Sequence, residues 1–393
     1  MKTRQTVIAY ASRTAIGKMG GSLASTPAPR LGAALVEDAL KKLNLKGDAV
    51  DEIIMGQVLT AGVGQAPARQ TAIYGGLPIS VSASTLGKVC GSGMKAVMLA
   101  DQAIRVGDAE IIFAGGQENM SLAPHILPNS RTGYRFGSFE VKDSMQIDGL
   151  WDPYNNMPMG NCGEICAKEY GFTREAQDEF AQQSYHRARQ AVESGLFGDE
   201  VVTFAVQDRK GTKNFDIDEE PFSVDLDRIS SLRPAFSKEG TITAANASSI
   251  NDGASLLVLC SEEAALKHGL KPLARIVAQA SFAQDPVQFT TAPIACIKKV
   301  LKKAELNVSD IDLFEINEAF AVVTMAAIKD LELDPTRVNV NGGAVALGHP
   351  IGSSGARILV TLIHALRQRK EKRGLAAICI GGGEATAVVV EMA

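Results

Sequence analysis

An internal duplication constrains this chain more than any other feature. The stretch Leu40–Asp51 (LKKLNLKGDAVD) lines up with Leu301–Asp312 (LKKAELNVSDID). Each reads as the end of a helix, a turn and the start of a strand: Ile53, Ile54 and Met55 in one copy, Leu313 to Ile316 in the other. Cys90-Gly91-Ser92-Gly93 opens a helix with Met94, Val97, Met98 and Ile104 at helical spacing, closing near Gly107. Gly352 to Arg357 opens a second, with Ile358, Leu359, Leu362 and Leu366 on one side. Ile111–Gly116 and Ala377–Gly383 both read as a buried strand running into a glycine turn. One such match is weak. Three in the same order describe two similar halves of alternating strands and helices, an α/β layered fold.

Between the copies lies a different stretch, from about Ser121 to Thr241, rich in Pro, Gly, Met and Asn. One clear helix sits inside it, with Thr173 as N-cap, Glu175 and Asp178 in the first turn, and an end near Gly195. A long irregular stretch of this kind is more often a binding loop, lid or assembly element than an idle connection. Gly62–Gln65 and Asn251-Asp252-Gly253 read as turns.

A chain of 393 residues accommodates two ordinary domains or one large layered one. With 40 basic and 44 acidic residues, the formal charge is −4, which argues against partners held by nucleic-acid phosphates or an anionic membrane. No apolar run approaches the roughly 20 residues that span a bilayer. The apolar stretch near Val7–Tyr10 is too short for a secretory signal, and the final residues are not a peroxisomal tripeptide, so a cytoplasmic protein is expected. The six cysteines are scattered, without a CxxC pair, and are expected to be thiols. Cys162 and Cys166 share a face if helical. The five histidines offer no pair at ligand spacing, so these two cysteines are read as core residues and no metal is expected.

Four positions stand out chemically. Cys90 precedes a glycine-rich helix start, where N–H groups and the helix dipole favour a thiolate. The competing reading is a cysteine buried at a tight helix entry. His349 stands in Asn341–Gly355, a glycine-rich block, and Pro350 holds it in extended geometry. The duplication places it near the counterpart of Cys90, and a Cys–His pair is the minimum for an activated thiol. Cys379 ends a strand, where ligands bind in α/β folds, or is simply an apolar strand residue. Asn317 orients a water or a carbonyl, or caps the next helix. The Gly381-Gly382-Gly383 run is followed by another strand, not by the helix a dinucleotide site requires.

These residues lie in blocks that resemble the thiolases, the acetyl-CoA acetyltransferase and 3-ketoacyl-CoA thiolase family. The resemblance spans almost the whole chain. It includes Ser12–Gly17 with Gly20-Gly21, Val89–Lys95, Ala114–Ser121, Arg233–Phe236, Asn246–Ser248, Asn317–Phe320, Asn341–Gly355 and Cys379–Gly383, in the family's order. It implies five layers, α-β-α-β-α, from two similar halves with a loop domain inserted in the first. The expected organisation is residues 1–120 and 242–268 for the N-terminal half, 121–241 for the loop domain and 269–393 for the C-terminal half.

The resemblance also implies roles. Cys90 would take the acyl group as a thioester, His349 would activate it, and Cys379 would move the proton at the carbon to be bonded. Asn317, through a water, and His349 would hold the enolate oxygen; the N–H groups of Cys90 and Gly381 would hold the thioester oxygen. Leu150, Phe236, Ser248, Ala319 and Phe320 would contact acyl-CoA or coenzyme A, which are substrates, with no separate cofactor. The implied assembly is a homodimer, or a homotetramer paired through Pro124–Ser138. Thiolases specific for acetoacetyl-CoA usually carry a His where this chain has Pro158 and a Met where it has Phe289. Longer or branched acyl chains are therefore an open alternative. A decarboxylating ketosynthase is disfavoured because such enzymes carry a second His in place of the Cys379 block. A non-catalytic acyl-CoA carrier is disfavoured because all four reactive residues are present.

Overall fold

The computed structural model describes residues 4–208 and 211–393. Nine principal strands carry the fold: β1 (Thr6–Thr14), β2 (Glu52–Gly56), β3 (Ser82–Leu86), β4 (Ile111–Asn119), β5 (Asn251–Ser261), β6 (Ala274–Ala283), β7 (Leu313–Ile316), β8 (Arg373–Ile380) and β9 (Glu384–Met392). The main helices are α1 (Ala28–Lys42), α2 (Ser92–Val106), α3 (Met159–Tyr170), α4 (Arg174–Glu193), α5 (Ala292–Ala304), α6 (Ala321–Asp330), the short α7 (Ala344–Leu347) and α8 (Ile351–Arg369).

The duplication seen in the sequence is also a duplication of strand order. In the first half β1 pairs antiparallel with β5, β5 antiparallel with β4, and β4 parallel with β2. In the second half β6 pairs antiparallel with β9, β9 antiparallel with β8, and β8 parallel with β7. The halves join where β1 meets β6, at Val7–Arg275 and Ile8–Ala274. The ladder is therefore continuous, in the order β7-β8-β9-β6-β1-β5-β4-β2-β3. Strand β3 extends the first half parallel to β2 and is one edge of the sheet, β7 being the other.

Burial explains the layering. Strands β1, β4 and β5 are buried along their whole length, as strands covered on both faces must be. One apolar cluster packs α1 against the first half (Leu31, Leu35, Ile53, Phe113, Leu256). A second lies between the halves and contains both α2 and α8 (Met94, Val97, Ile358, Leu362). A third covers the outer face of the second half with α5 and α6 (Ile297, Val300, Val323, Val389). These are the five layers. Helix α8 is buried on every side from Ile351 to Leu366, not on one stripe, because it lies in the central layer.

Two local expectations change. Asn251-Asp252-Gly253 is not a turn but the start of β5. Turn-forming residues are tolerated there because each is held: Asp252 accepts from the Ser121 N–H and hydroxyl at 3.0 and 2.6 Å, and Asn251 donates to the Gly17 carbonyl at 3.2 Å. The middle stretch is also less irregular than its composition implies. Thr173 does cap α4, accepting from the Ala176 N–H. Helix α3 precedes it and buries Cys162 and Cys166, both free thiols.

Candidate active site

The starts of the two central helices make the site. A Cβ on Gly93 would come within 3.0 Å of Ala356 N and Gly352 O, and one on Gly355 within 2.6 Å of Met94 N. The glycines let α2 and α8 cross backbone to backbone at their N-terminal ends. Cys90 lies just before one start and His349 just before the other.

The turn holding Cys90 is strained. Val89 has φ of 44°, a left-handed conformation costly for a β-branched residue. Buried Ser92 staples it: its hydroxyl accepts from the Lys88 N–H at 2.8 Å and donates to the Val89 carbonyl at 2.7 Å. This places the half-buried Cys90 sulfur before the N–H groups of Gly381 and of Cys90 itself.

His349 is held from two sides. Its N–H donates to Asn251 Oδ1 at 2.8 Å, and its Nδ1 lies 2.6 Å from Ser354 Oγ. The Ser354 hydroxyl donates its only proton to the Pro350 carbonyl at 2.9 Å. By that assignment Nδ1 carries the ring proton and donates to Ser354. The other nitrogen, Nε2, is left as a bare lone pair, buried and without a partner among the described residues. Burial, aided by the Arg357 charge, pushes the imidazole down to about 3, so it stays neutral.

The two readings of Cys90, a thiolate favoured by the helix start and a cysteine buried at a tight helix entry, separate here. Helix α2 begins at Ser92, and burial pushes the Cys90 thiol up to about 11, reinforced by the Glu118 carboxylate and opposed by the two N–H groups. Burial likewise raises the Cys379 thiol well above its ordinary value, and the Cys90 charge adds to this. Desolvation outweighs the N–H groups that face each sulfur. The resting site holds neutral thiols.

Cys90, His349 and Gly381 line one cavity of about 250 Å³. Leu150, Phe236, Ser248, Phe289, Ala319 and Phe320 line it too. Cys379, Asn317 and Pro158 do not. Cys379 is fully buried, facing the Ala319 N–H and within electrostatic reach of Cys90. Asn317 is buried, and among the described residues neither its Oδ1 nor its Nδ2 has a partner. Such an orphaned amide is the feature expected of a group that holds a water or a ligand oxygen. Pro158 is the N-cap of α3, and the next residue, Met159, takes its place in the wall beside Gly381.

Sequence reasoning missed Met159, Met120 and Ile351 in the wall, and Ser92, Ser354 and Glu118 behind it. Ser92, Ser354 and Glu118 lie inside the blocks already singled out, but nothing in their spacing marks them. Glu118 accepts from the N–H groups of Val58, Leu59 and Gly352 at 3.0, 3.2 and 3.0 Å, tying the start of α8 to β4. Burial pushes its carboxyl up to about 7. Among the described residues no group of three His, Cys, Asp or Glu could hold a metal ion, and no helix is long and apolar enough to cross a membrane.

Residues 6–263 match the family model of the thiolase N-terminal domain, and residues 270–392 that of the thiolase C-terminal domain. The chain belongs to the thiolase family. An acetyl-CoA acetyltransferase of Cupriavidus necator is 54% identical to it, over 98% of each chain. The acetyl-CoA acetyltransferase of Schizosaccharomyces pombe is 48% identical over the full length of both. Among solved structures, the Bacillus anthracis acetyl-CoA acetyltransferase superposes with a TM-score of 0.97 at 40% identity, covering all of both chains. A thiolase from Ascaris suum in complex with coenzyme A gives 0.94 at 44% identity, covering 99% of this chain and 100% of that one. The fold class and family resemblance read from the sequence are thereby established, and the chain is an acyltransferase.

Proposed function

We propose that the protein catalyses the reversible Claisen condensation of two acetyl-CoA molecules to acetoacetyl-CoA and coenzyme A, with Cys90 as the acyl carrier. One observation carries the reading. A nucleophilic sulfur, an unprotonated imidazole nitrogen and two backbone N–H groups meet at a single cavity of largely apolar lining. The relatives' names and the coenzyme A complex of the Ascaris suum thiolase support the choice of substrate.

With the thiol near 11 and the imidazole near 3, a preformed thiolate–imidazolium pair is rare, so proton transfer accompanies attack. The Cys90 sulfur adds to the thioester carbonyl as His349 Nε2 takes its proton. The oxygen that gains charge faces the N–H groups of Cys90 and Gly381. Coenzyme A thiolate leaves and takes the Cys379 proton, so that His349 keeps the Cys90 proton on Nε2 and Cys379 becomes the thiolate. For a second acetyl-CoA, the Cys379 thiolate removes a methyl proton, while Asn317, through a water, and the protonated Nε2 of His349 donate to the enolate oxygen. The carbanion attacks acetyl-Cys90, releasing acetoacetyl-CoA and the Cys90 thiolate, which recovers its proton from His349. The reverse sequence is thiolysis.

A second substrate reading rests on the cavity wall. Met159 and Phe289 shape it, and Pro158 supplies no hydrogen-bond donor. A longer or branched 3-ketoacyl-CoA is the alternative, separated by thiolysis rates over a series of chain lengths. Assembly belongs to the same proposal. Among the described residues the edge strand β3 pairs only with β2, and Leu127, Tyr134, Phe136, Phe139 and Val141 form an exposed apolar segment, both favouring a homodimer or homotetramer.

The test is mass spectrometry after incubation with acetyl-CoA. Acetyl should remain on the peptide containing Cys90 and vanish in Cys90→Ala. Label on Cys379 instead would reverse the assignment of the two sulfurs.

A further inference from the structure

The Asn317 side chain has no hydrogen-bond partner among the described residues, so it does not fix its own position. Its position depends on its neighbours. Ile316, before it, is gripped by Asn339, whose Oδ1 accepts from the Ile316 N–H and whose Nδ2 donates to the Ile316 carbonyl, both at 2.8 Å. Glu318, after it, is 1% exposed. Its Oε1 accepts from Asn339 Nδ2 at 2.8 Å. Its Oε2 accepts from the Ser184 hydroxyl at 2.8 Å and the Val345 N–H at 3.1 Å. Ser184, on α4, in turn accepts from the Gly343 N–H at 3.0 Å. Val345 is in α7, whose last residue stands two before His349.

We propose that Glu318 is a positioning residue for the enolate half of the reaction. Its one carboxylate sets Asn317, through Asn339, and is itself anchored to α4 through Ser184 and to α7 through the Val345 N–H, whereas His349 is held separately by Asn251 and Ser354. The proposal rests on the thiolase reading above. It adds that a helix of the segment between the two repeats controls the geometry of carbon–carbon bond formation separately from acyl transfer. No ion pair to Glu318 occurs among the described residues, so its work is done through oriented acceptors. Gln is therefore not neutral at this position. If its amide oxygen takes the place of Oε2, its NH2 faces Asn339 Nδ2. Asn339 cannot turn over in response, because its Oδ1 is already committed to the Ile316 N–H.

The experiment separates the two half-reactions in the full-length wild type, Glu318→Gln and Ser184→Ala. Acylation is read as the rate of acetyl transfer from acetyl-CoA to Cys90. Enolate formation is read as exchange of acetyl-CoA methyl protons with heavy water, and condensation as acetoacetyl-CoA formed. Glu318→Gln should lower exchange and condensation by about tenfold or more while acylation stays within about twofold. Ser184→Ala, the milder change, should lower them about threefold, with the same selectivity. Equal loss in both half-reactions, or no loss in either, overturns the proposal. If Glu318→Gln does not fold, the selectivity of Ser184→Ala decides it. A wild type that never acetylates Cys90 instead refutes the underlying functional reading, and the proposal with it.

Discussion

His349 makes stability depend on pH in a calculable direction. Its ordinary value is 6.5, and burial holds it near 3 in the native protein. Between those values the unfolded chain binds a proton that the native chain does not. This contribution to stability is therefore complete above about pH 6.5 and is lost as the pH falls toward 3. From about pH 7.5 to about pH 5 the loss is roughly 2 kcal/mol, at 1.36 kcal/mol per pH unit below 6.5. His349→Asn removes the titration and keeps the backbone N–H bonded to Asn251. Glu118 and Glu315, pushed up to about 7 and 8 by burial, change stability in the opposite direction, but both proteins carry them and they cancel in the difference. Urea unfolding of both proteins at the two pH values, at one protein concentration, measures it. Relative to the variant, the wild type should weaken by about 2 kcal/mol on acidification. A gap that stays constant within about 0.5 kcal/mol would mean that the imidazole titrates normally in the native state, and the neutral-base argument would fail.

Ser92→Ala leaves the Lys88 N–H and the Val89 carbonyl without their partner in a strained turn, so it should destabilise by about 2–4 kcal/mol in urea unfolding. It should also slow Cys90 acetylation about tenfold, since the sulfur loses its fixed geometry. Met159→Ala empties the wall beside Gly381; thiolysis of a substrate two carbons longer than acetoacetyl-CoA should gain relative to acetoacetyl-CoA in kcat/KM. Phe136→Ser with Phe139→Ser should lower the sedimentation coefficient if the exposed segment pairs copies, and an unchanged value would remove that segment from the assembly.

Much of the architecture was legible along the chain, because local order is set by neighbours in sequence. The repeat at Leu40 and Leu301, the strands ending in glycine, and the Thr173 cap all follow from periodicity and turn chemistry a few residues wide. The blocks holding Cys90, His349, Cys379 and Asn317 were visible for the same reason. Tertiary structure decided how those groups behave. Helix α8 is buried all round because the two halves of the sheet enclose it, and Asn251–Gly253 is strand because Ser121 and Gly17 come to meet it. The state of the Cys90 sulfur does not follow from the helix start alone. A dipole is a property of one helix, whereas desolvation is imposed by every group that closes over a site. Those groups arrive from both repeats and from the segment between them, which is also why the hold of Ser184 and Asn339 on Glu318 appears only once the chain is folded.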